Sequence, residues 1–334
     1  MLKESDNKLL VETGPNTPMG KFMRAYWVPV VRSAELKAGA RPRRVQILGA
    51  RYVAFRSPSG KVGVMDEACP HRGASMALAK NEECGLRCIY HGWKISHEGK
   101  VLEAPTHPEG VPVEKIPTRA YPTQEGQGIV WAWFGAEETV PPFPKLSFTD
   151  LPDDHVIVAT AKLNCGWLQP LETLWDVFHT QILHNSTNRN SPRAKSYFSE
   201  DGREAGGLRF DYPEMIVART EYGFEHTNSD AAKNTHYKFI APFIQHHAVS
   251  PDPASDNAVQ MSVPIDDEHT QSWMIFYNRH GPLKPDGFGM FILGDLPNRS
   301  NFMQGMDDRR PENYWGQDPV AVENGESFSG VTGM

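Results

Sequence analysis

Nowhere in the chain do apolar residues run to the ~18 in succession that a membrane-spanning helix needs. The N-terminus, MLKESDNKLLVETG, has no hydrophobic signal region either. A membrane protein and a secreted one are set aside on these grounds, and a cytoplasmic location is expected. Basic charge is short too: 34 Lys and Arg stand against 41 Asp and Glu, a formal net charge of −7, so no general nucleic-acid binding is expected. Cysteine is scarce. Four are present, Cys69, Cys84, Cys88 and Cys165. An even number permits disulfides in a secreted protein, but in a cytoplasmic one the thiols are expected reduced or bound to metal. Internal repeats are absent.

What is present suits a two-domain globular protein. The 334 residues exceed one ordinary domain and bury roughly three quarters of the unfolded surface without staples. Gly (28) and Pro (27) favour a strand-rich, loop-rich chain over a helical bundle. Residues 1–40 read as a lead-in, with RAYWVPVV (24–31) as a buried apolar segment after a polar tail. RRVQILGARYVAFRS alternates around Gly49 as a hairpin does, SPSGKVGVM supplies the next turn and strand, and GIVWAWFG (128–135) a further strand. An all-β domain over 41–145 follows, closed by the Pro-rich EETVPPFPKL. The second domain, 146–334, opens with the strand HVIVATAKL. WLQPLETLWDVFHTQILH (167–184) is the best helical candidate, with Leu171, Leu174, Trp175 and Phe178 on one face. NTHYKFIAPFIQHHAV and TQSWMIFYN read as strands of an antiparallel sheet.

Two segments stand out within CPHRGASMALAKNEECGLRCIYHGW (69–93). Cys69 and His71 lie two positions apart, Cys88 and His91 three apart, each pair among turn-forming residues. Structural zinc accepts two Cys and two His, but its usual spacing groups like with like. Redox dithiol chemistry lacks a Cys-x-x-Cys pair. A Rieske cluster holds one iron by two thiolates and the other by two imidazoles, and two loops that each give one of each suit that asymmetry. Neutral imidazoles in place of thiolates raise the reduction potential. Cys84 and Cys165 are expected to be small buried residues outside the donor set.

A second constellation lies on the helical candidate: Glu172, Asp176, His179 and His184. Asp176 and His179 share a helical face. His179 and His184 are five apart, roughly 140° around a regular helix, so one metal takes both only if the helix ends or bulges between them. Two imidazoles and a carboxylate make the facial triad of non-haem Fe(II) oxygenases.

With both constellations in view, the chain resembles the Rieske non-haem iron oxygenases, terminal oxygenase (alpha) subunits, in the phthalate dioxygenase-like group. The motifs carrying the likeness are TGPNTPMGKFMRAYWVPV, CPHRGASMALAKNEECGLRCIYHGWKI, GKVLEAPTHPEG and NCGWLQPLETLWDVFHTQILH. The resemblance implies an α+β fold: an N-terminal all-β Rieske domain, and a catalytic domain with an antiparallel sheet flanked by helices, helix-grip-like, on which the lead-in packs. It assigns Cys69, His71, Cys88 and His91 to a 2Fe–2S cluster. It makes His179 and His184 ligands of a mononuclear non-haem Fe(II), and Asp176 the buried acid bridging that iron to the cluster of a neighbouring subunit. A homotrimer or stacked trimers follow.

It further implies a separate NAD(P)H-dependent flavin and iron–sulfur reductase as electron donor, with dioxygen and an aromatic, carboxylated molecule as substrates. Arg189, Arg193, Arg209 and Arg219 are candidate anchors for that carboxylate. Of His246 and His247, adjacent on a strand, at most one lines a pocket. The family's third, carboxylate iron ligand follows a stretch that ESFSGVTGM matches, which places it beyond Met334; Asp318, Glu323 and Glu326 are not expected to replace it. The alternative is a Rieske-type electron carrier with an accessory binding domain.

Overall fold

The computed structural model describes residues 2–109, 112–176, 179, 183, 214–229, 234–249, 256–283, 309–326 and 329–331. The chain forms two compact units. The first takes Met1–Asp150 with Asn164–Trp167 and Val263–Thr270; the second takes Leu151–Leu163, Leu168–Ser262 and Gln271–Met334. Among the described residues no helix is long and apolar enough to cross a membrane.

The first unit is built of short strands behind two short helices, α1 (Glu4–Val11) and α2 (Pro18–Arg24). The lead-in is thus more ordered than a polar tail. Thr17 caps α2, its Oγ1 accepting the Gly20 N–H at 3.1 Å, and Pro18 occupies the first turn, where its missing N–H costs nothing. The lead-in belongs to this unit. Its β1 (Trp27–Arg32), buried almost throughout, pairs antiparallel with the chain's β11 (Ile129–Trp133), and β10 (Thr123–Gly126) completes that sheet. Asp267 and Trp167, which bond to Thr13 and Leu10 of the lead-in, are of the same unit.

A second sheet joins β2 (Arg43–Ile47), β3 (Ala50–Arg56), β4 (Val62–Asp66) and β9 (Ala120–Tyr121). The expected hairpin around Gly49 is there: Leu48 and Gly49 both take positive φ, 53° and 74°, as a tight two-residue turn between right-twisted strands requires. Left-handed backbone at Leu48 costs about 1–2 kcal/mol; complete burial of its side chain, worth about 1.5–3 kcal/mol, offsets that. The third sheet takes β5 (Lys80–Glu82), β6 (Gly85–Arg87), β7 (Lys94–Ser96) and β8 (Val101–Glu103). Val53, Phe55, Met65, Met76, Leu86 and Ile95 form a core between the second and third sheets, and Cys69, Cys88 and Trp93 are embedded in it.

The second unit centres on a seven-stranded antiparallel sheet. Its strands are β12 (Val156–Leu163), β13 (Glu214–Thr220), β14 (Gly223–Ser229), β15 (Asn234–Ile240), β16 (Ile244–Val249), β17 (Asn257–Pro264) and β18 (Thr270–Tyr277), in the order β12-β18-β17-β16-β15-β14-β13. The interior strands β17 and β18 are buried almost throughout. The helical candidate appears as α3 (Leu168–Trp175), with Pro170 in its first turn and Leu171 buried. Past Trp175 only Asp176, His179 and Leu183 of that stretch are described, so Phe178 and His184 lie outside the described residues. A short α4 (Pro319–Glu323) follows later, capped by Asp318.

Candidate functional site

The two Cys/His loops are near copies of each other. Cys69 N–H donates to the Ala74 carbonyl at 2.8 Å and Gly73 N–H returns to the Cys69 carbonyl at 2.8 Å. In the second loop, Cys88 N–H donates to Trp93 O at 2.8 Å and Gly92 N–H to Cys88 O at 3.1 Å. Each loop therefore closes four residues after its cysteine on a glycine with φ of +70° or +73°, backbone that a side chain rarely tolerates. His71 and His91 project from these turns with ring centroids 4.6 Å apart. The cysteines are 4% and 3% exposed, and their thiols lie against each other.

The electrostatics suit a bound polynuclear metal centre. Burial pushes the Cys69 thiol up, and the neighbouring Cys88 thiol adds to that, while the backbone N–H groups of His71 and Arg72 pull it down. Those N–H groups are ready donors to an anionic sulfur. Burial, with His91, Arg72 and His107 nearby, holds His71 below the usual histidine range, which keeps the imidazole neutral and able to ligate. Its Nδ1 is buried without a hydrogen-bond partner among the described residues. Such an orphan costs about 1–3 kcal/mol unless a ligand takes it up. Among the described residues no three His, Cys, Asp or Glu side chains are placed to share one metal ion. A zinc site needs four donors around one point; a thiol pair beside an imidazole pair instead fits a cluster with two irons.

Several supports were not legible beforehand. Trp93 stacks on His71, and its Nε1–H donates to Thr106 Oγ1 at 2.9 Å. Glu67, 7% exposed, accepts from Ser75 Oγ at 2.5 Å and Arg44 Nε at 2.7 Å, which fastens the end of the first loop. Arg87 donates to the Gly92 carbonyl at 2.9 Å while pairing with Glu82 and Glu103, which fastens the second. The reading of Cys84 is corrected. It is exposed, because it falls in the turn between β5 and β6 where no side chain faces the core. Cys165 is half-buried.

In the second unit, α3 delivers its end to the other constellation. His179 N–H donates to Asp176 Oδ1 at 3.4 Å, and the His179 Nδ1 lies in a short contact with the Asp176 carbonyl oxygen. A carbonyl only accepts, so Nδ1 carries the proton and the lone pair sits on Nε2, the nitrogen a metal would take. The Asp176 side chain, expected buried, is 51% exposed in the chain, because it follows the last helical residue. Asp318 precedes α4, Glu323 ends it and Glu326 follows it, and the Asp318 carboxylate accepts the Val320 and Ala321 N–H groups as a helix cap.

Rings cover the sheet beside α3. Trp175 contacts Phe224, His226 and Phe239 at centroid distances of 4.2, 4.7 and 6.1 Å. Of the candidate anchors, Arg189, Arg193 and Arg209 lie outside the described residues; Arg219 is exposed on β13, opposite Phe224. His246 is 7% exposed, and burial with Lys238 nearby lowers its pKa to about 4. It lies opposite Lys238, one position along β16 from Gln245, so the two side chains take opposite faces.

A strand-rich unit with paired thiol and imidazole loops precedes an antiparallel-sheet unit along the chain, and both find relatives. The Rieske [2Fe-2S] domain family matches residues 26–122, and the LigXa C-terminal domain-like family matches residues 132–334. The chain is 35% identical to the 3-chlorobenzoate-3,4-dioxygenase oxygenase subunit of Comamonas testosteroni, over 100% of this chain and 80% of that one. It is 32% identical to the phthalate 4,5-dioxygenase oxygenase subunit of Pseudomonas putida, over 100% and 77%. The structure of dicamba monooxygenase bound to 3,6-dichlorosalicylic acid shares the fold, with a TM-score of 0.62 at 17% identity over 88% of this chain and 90% of that one. The chain therefore belongs to the Rieske non-haem iron oxygenases, as a terminal oxygenase subunit of the aromatic dioxygenase and demethylase type. Membership brings two iron centres, a 2Fe–2S cluster and a mononuclear non-haem iron, and sets aside the electron-carrier alternative.

Proposed function

We propose that the protein oxygenates an aromatic carboxylate with dioxygen, using electrons from NAD(P)H that a separate flavin and iron–sulfur reductase delivers. Cys69, Cys88, His71 and His91 hold the cluster, and His179 with His184, the latter outside the described residues, holds the mononuclear iron. When bound, the cluster stores single electrons and the ferrous centre activates dioxygen. The chain's own residues do the rest. The buried thiols and the neutral His71 set the cluster's charge and orientation. Asp176 orients His179 through the contacts described above, and its exposed carboxylate is available to a neighbouring subunit. A homotrimer, single or stacked, supplies that neighbour.

One observation carries the substrate class: the wall of rings that Trp175, four residues before His179, forms on the sheet with Phe224 and Phe239. Aromatic faces at centroid distances of 4.2 to 6.1 Å offer a stacking surface to a planar ring. Relatives named for 3-chlorobenzoate and phthalate support the carboxylate. The test is turnover of a panel of benzoates and phthalates by iron-replete protein with a heterologous reductase and NADH, comparing oxygen consumed with product formed. Stoichiometric product from at least one aromatic acid is expected. Absence of product from every acid, with both iron centres filled, would sink the reading.

A further inference from the structure

Register places one row of side chains on a single face of the second unit's sheet. Across β14 and β15, Phe224 lies opposite Phe239 and His226 opposite Tyr237; across β15 and β16, Phe239 lies opposite Gln245. Residues directly opposite share a face, and every second residue along a strand returns to it. Trp175, the last residue of α3, packs onto this face.

The face is apolar in its rings but holds buried polar atoms that have no hydrogen-bond partner among the described residues. Trp175 Nε1 and His226 Nε2 have no hydrogen-bond partner, and neither do the Nε2 and Oε1 of Gln245. His226 is 1% exposed and Gln245 0%. The indole of Trp175 and the imidazole of His226 touch edge to face, with centroids 4.7 Å apart and planes at 73°. Two adjacent buried nitrogens without partners are a cost that native proteins accept where another molecule supplies the partner. An indole N–H can only donate, so that molecule must present an acceptor. Burial also holds His226 below its usual range, so its ring is neutral and carries one donor nitrogen.

We propose that Trp175 and His226 hold the carboxylate of the substrate, Nε1–H and Nε2–H donating to its oxygens while the substrate ring lies against Phe224 and Phe239. The inference rests on the aromatic-acid reading above and deepens it: neutral donors, instead of a guanidinium, select the acid. Arg219, on the same face but exposed at β13, would act at most from the rim.

The test uses iron-replete full-length protein under anaerobic conditions. Equilibrium dialysis measures binding of 3-chlorobenzoate and phthalate, with 3-chlorotoluene as a ring of similar shape without an acceptor. Trp175→Phe and His226→Leu are each expected to weaken acid binding roughly tenfold or more. Both should leave the cluster's absorption unchanged and weaken 3-chlorotoluene binding far less than acid binding, and His226→Gln, which keeps a donor, should recover most of that variant's loss. Equal losses for the acids and for 3-chlorotoluene would reduce the pair to ring packing and overturn the proposal, as would acid binding that the variants do not alter. Wild-type protein that binds neither acid would overturn the substrate class itself; wild type that binds while the variants match it overturns this inference alone.

Discussion

The imidazole of His71 lies flat on the indole of Trp93, with ring planes 3° apart and centroids 4.7 Å apart. The indole is itself fixed: it is 4% exposed and donates to Thr106. A ligand ring held against a buried ring cannot swing away from its metal without breaking the core, which is how outer residues fix ligand orientation. Trp93→Leu should remove the stack and leave a partial void. A loss of about 3 kcal/mol in stability is expected, together with lower iron and sulfide content per chain. Parental melting temperature and full iron content in that variant would show that the stack positions nothing.

Glu67 is the fastening of the first loop. Ser75 Oγ and Arg44 Nε both donate to one of its oxygens, and the Met76 N–H bonds to its backbone carbonyl. Glu67→Ala deletes the acceptor of the Ser75 hydroxyl, which keeps only its weaker contacts with Arg44 and the Ala77 N–H at 3.3 Å, while Arg44, half exposed, regains water. A destabilisation of about 1–3 kcal/mol follows from the lost charged hydrogen bonds. The first loop should also release its cluster faster to a chelator than the parent does, read as the decay of visible absorption. Glu67→Gln, which keeps an acceptor oxygen, should fall between the two; a Glu67→Ala protein that bleaches at the parental rate contradicts the role.

The paired Cys/His loops were legible because cysteine, histidine and tight-turn glycine stand out by type and spacing, and the structure closes both loops on Gly73 and Gly92. The hairpin at Gly49 was legible for the same reason. What failed to show in sequence depends on partners brought from elsewhere. The helices α1 and α2 have eight and seven residues, too short to persist without packing, so no strong periodicity marks them. The strands β5 to β8 have three residues each, too few to display alternation. Glu67 gains meaning only from Arg44 and Ser75, and His226 only from Trp175, contacts that exist once the sheets are folded. Cys84 misled because a cysteine is usually a small buried residue, whereas here it occupies a hairpin turn.

His246 makes stability depend on pH. Burial and the opposite Lys238 lower its folded pKa from 6.5 to about 4. Above the unfolded pKa the ring is neutral in both states and nothing is lost. As pH falls below it, the unfolded chain takes up a proton that the folded chain refuses, so stability declines until the folded pKa is reached. The full effect is about 3 kcal/mol, of which roughly 1 kcal/mol is lost by about pH 5.5. Denaturant titrations at about pH 7.5 and about pH 5.5 measure it. His246→Gln should flatten the difference between the two by that amount; an unchanged difference would mean that the acid sensitivity arises elsewhere.

Asp176 offers a test that separates electron delivery from cluster assembly. Its carboxylate and carbonyl both face His179 in the second unit, whereas the cluster donors belong to the first. Asp176→Asn keeps the size and one acceptor oxygen but removes the charge that would polarise a metal-bound imidazole. The variant should keep the parental Rieske absorption and the rhombic EPR signal of the reduced cluster. Its NADH-driven product formation should fall by about 10–100-fold, the usual loss when the partner of a ligating histidine is altered. A single-turnover measurement makes the assignment sharper: with the cluster reduced beforehand and no reductase present, oxidation of the cluster by dioxygen in the presence of substrate should slow by the same factor. Parental rates in both measurements would remove Asp176 from the route and leave it a residue at a helix end.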